Sequence, residues 1–91
     1  MIHFKTKIRA ITCDLDEKVS LSFKGNPPDS PSGGYFGAPR KNILEAGREW
    51  HKFNNSISIA LTALTQDLTV EITMPEGDNK EIEAIIIFSR D

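Results

Sequence analysis

The chain has 91 residues, of which 38% are hydrophobic and 26% are charged, and its formal net charge is -2 at pH 7. This length allows one domain with one core and excludes a second domain, and the total charge favours neither nucleic acid nor a membrane surface as a partner. The first residues lack the uninterrupted apolar run of a signal peptide or a spanning helix, and Cys13 is the only cysteine. We therefore expect a soluble, cytoplasmic protein without an internal disulfide.

Alternating side chains predict two strands at the start of the chain. From residue 2 to residue 10, apolar side chains alternate with polar ones, and the segment 19–23 alternates in the same way after an acidic cluster at 14–17. This period of two is typical of half-buried strands, and two such segments around a short turn predict an antiparallel hairpin. The basic side chains of the first strand share its polar face: Lys5, Lys7 and Arg9.

A segment rich in proline and glycine follows at 25–39. It holds four of the five prolines and four of the six glycines, so we predict a long internal loop without regular structure. Tyr35 and Phe36 lie in its middle and offer rigid apolar contact area for a partner. The alternative is that both rings fold back as a cover over the sheet.

Pro39 is well placed to begin an amphipathic helix of about three to four turns, which the asparagine pair at 54–55 ends. On its apolar side we expect Trp50 in the core and Gly47 at a close approach between helix and sheet. The segment 56–65 then fits both a strand and a helix. Its Ile, Ser and Thr content favours the strand, with the helix as the alternative.

Two further strands complete the predicted sheet. The segment 68–74 alternates cleanly, and the segment 81–89 carries apolar residues on both faces, which predicts a central strand. We expect its Ile85 and Ile87 face to be covered by the loop or by another chain. The predicted fold is α+β, a single domain of all 91 residues with one mainly antiparallel sheet and one amphipathic helix packed on it. The predicted order is ββαβββ, or ββααββ if 56–65 is helical.

Two groups of cations are candidate binding residues. Arg40 and Lys41 stand at the predicted helix N-terminus, where cations oppose the helix dipole, so a bound anion would explain their position. The basic stripe of the first strand is the candidate contact for nucleic acid, although no aromatic residue of the first two strands shares its face. The alternative is that acidic residues of the later strands pair with it: Glu71, Glu81 and Glu83.

The sequence contains no recognised catalytic, metal-binding or nucleotide-binding motif. The glycine-rich segment matches neither GxxxxGK[ST] nor GxGxxG, and the acidic cluster at 14–17 lacks the pattern of a calcium loop. Nothing in the spacing pairs Cys13 with His51 for nucleophilic catalysis. We therefore expect no catalytic residue, no metal and no cofactor.

The favoured function is a small, non-catalytic, intracellular binding module, a regulator or inhibitor that acts by protein–protein interaction. It would use the loop 25–39 and an exposed sheet face, or form a homodimer through Ile85 and Ile87. The predicted partner-binding residues are Tyr35, Phe36, Arg40 and Lys41. A nucleic-acid-associated protein using the basic stripe with Arg40 and Lys41 is the second candidate, and a small enzyme with an unrecognised site is the third. We expect no membrane partner.

Overall fold

The computed structural model describes residues 1–13, 18–25, 30–39, 44–45 and 47–88. The elements in these ranges are β1 (Ile2–Cys13), β2 (Lys18–Lys24), β3 (Gly33–Gly37), α1 (Gly47–Gln66), β4 (Val70–Met74) and β5 (Ala84–Ile87). The α+β class, with one antiparallel sheet and one helix packed on it, is confirmed. The order is βββαββ, so the predicted order ββαβββ and its alternative ββααββ are both wrong.

The sheet has the strand order β3-β2-β1-β4-β5, and β1 is long enough to serve two neighbours. Residues 2–6 pair with β4 and the later residues pair with β2, with a bulge at Arg9, because Ile8 lies opposite Phe23 and Ala10 opposite Ser22. An extra residue inverts the alternation beyond it. Ala10 is therefore exposed and Ile11 packs against the core, whereas one unbroken alternation through residue 10 was predicted.

The two ends of the sheet approach each other and partly close it into a barrel. The Tyr35 amide donates to the Lys80 carbonyl at 3.0 Å, and the Ile82 amide donates to the Tyr35 carbonyl at 2.8 Å. These bonds join β3 to the segment that leads into β5. Among the described residues, β5 has β4 as its one ladder partner, so it lies at the edge of the sheet and not at the predicted centre.

Apolar side chains from all five strands and the helix fill the interior. The buried cluster consists of Phe4, Ile8, Val19, Leu21, Phe23, Phe36, Ala60, Ala63, Val70, Ile72, Met74, Ile82 and Ile85. Ile85 is buried and Ile87 packs against the cluster, so this face of β5, which was predicted to need cover from the loop or from another chain, is covered by the chain's own core. The exposed apolar residue of β5 is Ile86, at 51%.

The predicted loop 25–39 contains a strand that the sequence did not indicate. The five residues of β3 pair with β2 along their whole length, with Leu21 opposite Gly34. A Cβ built on Gly34 would lie 2.9 Å from Ile82 Cγ1 and 3.0 Å from both the Lys80 carbonyl oxygen and Met74 Cε. Glycine is thus required where β3 approaches the segment that closes the barrel.

The helix begins at Gly47 and not at Pro39, and it continues through 54–55 and 56–65, so the strand predicted at 56–65 is wrong. Ala60 and Ala63 are both buried; their spacing of three places them on one face of a helix, but on opposite faces of a strand.

Near the helix start, Trp50 is half-buried and packs edge-on against Phe53, with ring centroids 5.9 Å apart. A Cβ on Gly47 would meet nothing within 4 Å. Trp50 is therefore outside the buried cluster, and Gly47 marks no close approach to the sheet, contrary to both predictions. Within the described ranges, the helix is not long and apolar enough to cross a membrane.

Candidate functional site

Four lysines and a tyrosine lie on the outer side of the barrel, and we call this set the outer lysine face: Lys5, Lys7, Lys18, Lys24 and Tyr35. Residues directly opposite in a ladder share a face. Lys7 lies opposite Lys24, and Tyr35 lies opposite Ser20, which shares its side of β2 with both β2 lysines. These side chains are exposed or half-buried, so the face is accessible along β1, β2 and β3.

Two aromatic rings on this side of the barrel carry lysine ammonium groups above them. Lys18 Nζ lies 5.0 Å from the centroid of Tyr35, and Lys5 Nζ lies 4.6 Å from that of Phe88. These are cation–π distances. The first two strands alone indicated no aromatic residue beside the basic stripe, because the rings come from β3 and from the residue after β5.

The carboxylate of Asp67 bridges two of the lysines at one end of the face. Lys7 Nζ lies 3.1 Å from Asp67 Oδ2, and Lys24 Nζ lies 3.4 Å from Asp67 Oδ1. Hydrogen bonds from Lys7 and then Lys24, together with their charges, hold the pKa of Asp67 below its ordinary value of 3.8. The alternative for the basic stripe was pairing with glutamates of the later strands. The strand register places one of them, Glu71, directly opposite Lys5.

The predicted binding residues do not all lie on the outer lysine face. Tyr35 lies on the outer face, whereas Phe36 is only 5% exposed and belongs to the core, so its prediction as a partner contact is wrong. Arg9 is exposed at the bulge of β1. Arg40 and Lys41 lie outside the described residues.

A cleft of about 320 Å³ lies apart from the outer lysine face, between β3, the first half of α1 and the segment 81–83. Its apolar lining includes Phe36, Phe53 and Ile82, and its charged lining consists of Glu49, Lys52, Glu81 and Glu83. Three carboxylates against one ammonium make this cleft acidic. Among the described residues, no group of three or more His, Cys, Asp or Glu side chains could hold a metal ion.

The side chains considered for catalysis lie on different elements. Cys13 is exposed at the end of β1, and His51 is exposed on α1. His3 Nδ1 is hydrogen-bonded to Thr73 Oγ1 at 2.9 Å.

No family model, curated protein or solved structure matches this chain. Ammonium groups and half-buried rings on one sheet face suit an extended anionic ligand, with phosphates held by charge and bases held by stacking.

Proposed function

We propose that this protein is a non-catalytic binding module that binds single-stranded nucleic acid through the outer lysine face. The supporting observation is the presence of four lysines and the half-buried Tyr35 ring on the same outer side of the sheet. Phosphate contacts by lysine supply affinity without sequence preference, and an aromatic ring stacks with any base.

The length of the face fits an extended strand. Lys18 and Lys24 are six residues apart on β2, or about 20 Å at roughly 3.3 Å per residue. Lys5 and Lys7 extend the cationic surface onto β1 beside Lys24. A chain of several nucleotides crossing this surface would meet a lysine at each end of β2 and a ring on its way.

The connectivity supports the same ligand class by analogy. A five-stranded, partly closed barrel with one helix between its third and fourth strands resembles the OB-fold, which binds oligonucleotides and oligosaccharides with its strand 2–3 face. In this chain the corresponding face carries Lys18, Lys24 and Tyr35. A shared architecture does not fix a function, so the proposal depends on these side chains and not on the fold.

Fluorescence anisotropy with a labelled oligothymidylate tests the proposal. Three or four lysine–phosphate contacts predict a slope of about -2 to -3 in log K against log salt, at ~0.7 per contact for single strands. A duplex of the same length should bind more weakly, because its bases are not free to stack. Absence of binding at low salt, or a flat salt dependence, would reject the proposal.

Substitution of Tyr35 tests the stacking contribution separately. Tyr35→Ala should weaken binding by about 5- to 150-fold, which corresponds to ~1–3 kcal/mol per stacked base. Tyr35→Phe keeps the ring and is the matched control, so it should bind within a few-fold of wild type. Equal losses in both variants would show that the ring does not stack on a base.

A protein partner is the second candidate, favoured by the exposure of Ile86. This residue is 51% exposed on β5, beside the half-buried Phe88. A cytoplasmic regulator or inhibitor, or a homodimer, could use this apolar site in place of Ile85 and Ile87. Light scattering of wild type and Ile86→Thr tests the homodimer, since a concentration-dependent mass in wild type alone would support it.

A further inference from the structure

A pocket of about 450 Å³ lies where β1, the end of β2 and the turn after α1 meet. Its titratable lining consists of Lys5, Lys7, Lys24 and Asp67, and Thr69 contributes a hydroxyl group. Three ammonium groups and one carboxylate give this lining a net charge of +2 (3 - 1 = +2). The pocket is therefore cationic although the chain as a whole is acidic.

Asp67 occupies the end of α1 in a backbone conformation and a helix-dipole environment that both favour residues other than aspartate. Its φ is 54°, in the left-handed region that favours Gly or Asn. The Asp67 amide donates to the Leu64 carbonyl at 3.4 Å and the Leu68 amide donates to the Ala63 carbonyl at 2.9 Å, which closes the helix C-terminus. A carboxylate is also unfavourable at this negative end of the helix dipole.

The contacts of the Asp67 side chain offset both the left-handed backbone conformation and the unfavourable interaction with the helix dipole. The two carboxylate oxygens of Asp67 each accept from a different lysine, Lys7 and Lys24. A carboxylate in this bridge marks a position where two ammonium groups converge on one anion. Lys5 also lines the pocket, but its ammonium lies over Phe88 and contributes a third positive charge.

We propose that this pocket is a phosphate-binding site, in which the Asp67 carboxylate occupies the place of an incoming phosphate group and competes with it for Lys7 and Lys24. This inference rests on the proposed function, since it identifies where a phosphate of the bound strand sits. A phosphate offers more acceptor oxygens than a carboxylate, so it can engage Lys5 as well. The Asp67 side chain is 61% exposed and has room to swing outward when displaced.

Asp67→Asn tests the competition directly. Asparagine tolerates the same left-handed backbone and keeps the side-chain shape but removes the charge. We expect oligothymidylate to bind about 3- to 10-fold more tightly at low salt, with a salt slope steeper by up to ~0.7, because Asp67 no longer competes for the fourth lysine–phosphate contact. Glu76→Gln removes one negative charge outside the pocket, near the N-terminal amine, and should change affinity by less than two-fold. Unchanged or weaker binding by Asp67→Asn would overturn the inference.

A titration of the isotope-labelled protein with inorganic phosphate separates this inference from the proposed function. Chemical-shift changes at the amides of Lys7, Lys24 and Thr69, lost in Lys7→Gln, would support the pocket even if oligothymidylate did not bind. Binding of oligothymidylate that depends on Tyr35, with no response to Asp67→Asn or phosphate, would reject the pocket and leave the function intact. If neither probe binds, both proposals are wrong.

Discussion

Substitution of Gly34 by alanine should open the barrel where β3 meets the segment before β5. The new Cβ would lie 2.9 to 3.0 Å from Ile82 Cγ1, the Lys80 carbonyl oxygen and Met74 Cε, about 0.4 to 0.5 Å closer than ordinary contact at 3.4 Å. The carbonyl belongs to the backbone and Met74 is fully buried, so neither can move aside freely. Overpacking of this kind costs about 1–3 kcal/mol, and the stiffer unfolded chain returns about 0.4–1 kcal/mol. We expect a net loss of about 1–2 kcal/mol.

Urea denaturation followed by the fluorescence of Trp50 measures this loss, which corresponds to a fall of roughly 5 to 15 °C in Tm for a domain of this size. The amides of Tyr35 and Ile82 should also exchange faster, because their bonds across the closure are the first to be strained. Gly47→Ala is the matched control: its Cβ would meet nothing within 4 Å, and alanine favours a helix, so stability should hold or rise. A Gly34→Ala variant with an unchanged midpoint and unchanged amide exchange would contradict this account of the closure.

Three further predictions concern stability. The pKa of Asp67 is lowered in the fold, so its ionised form stabilises the protein above about pH 3.8, and that contribution is lost as the pH falls through the folded pKa. The stability of wild type relative to Asp67→Asn should therefore fall in acid. A stability difference that stays constant with pH in urea titrations would exclude this linkage. Phe36→Ala should cost about 3–5 kcal/mol because the ring is in the core, and a thermal midpoint near that of wild type would refute the burial. Trp50→Ala should cost only about 1–2 kcal/mol, since it removes a half-buried ring and one edge-to-face pair, whereas global unfolding of this variant would return Trp50 to the core.

Strands with one buried face could be predicted from the sequence alone. In β2 and β4 every second side chain is buried, so the sequence carries the period directly. The same holds for β1 up to its bulge. Nothing in the local sequence indicates an extra residue at Arg9, because the bulge depends on the pairing of β1 with two different strands.

The sequence did not predict the strand β3, because this strand is stabilised by pairing with other segments and not by the preferences of its own residues. Three of its five residues are glycine, and glycine weakens a strand by itself. Its hydrogen bonds come from β2 on one side and from the segment 80–82 on the other. This pairing on both sides explains why the residues form a strand, and the absence of space at Gly34 explains why glycine is present there.

The helix was misplaced for a different reason. The segment 56–65 satisfies the period of a strand and of a helix equally, and its β-branched residues favour a strand. Burial decides between them: Ala60 and Ala63 are inside, whereas Leu61 is 49% exposed. A helix of small buried alanines lies close to the sheet, and this close packing outweighs the local preference of the segment.

The total charge also misleads as a guide to partners, because the charges are unevenly distributed over the surface. A net charge of -2 argues against a polyanionic ligand only if the ligand experiences the whole molecule. The molecule extends over 39 × 29 × 23 Å, whereas charges at physiological salt are screened over about 8 Å. A strand on the outer lysine face would therefore experience the nearby ammonium groups far more strongly than the carboxylates of the acidic cleft. The relevant quantity is the local charge of the face, which is set by the strand register and by the position of Asp67.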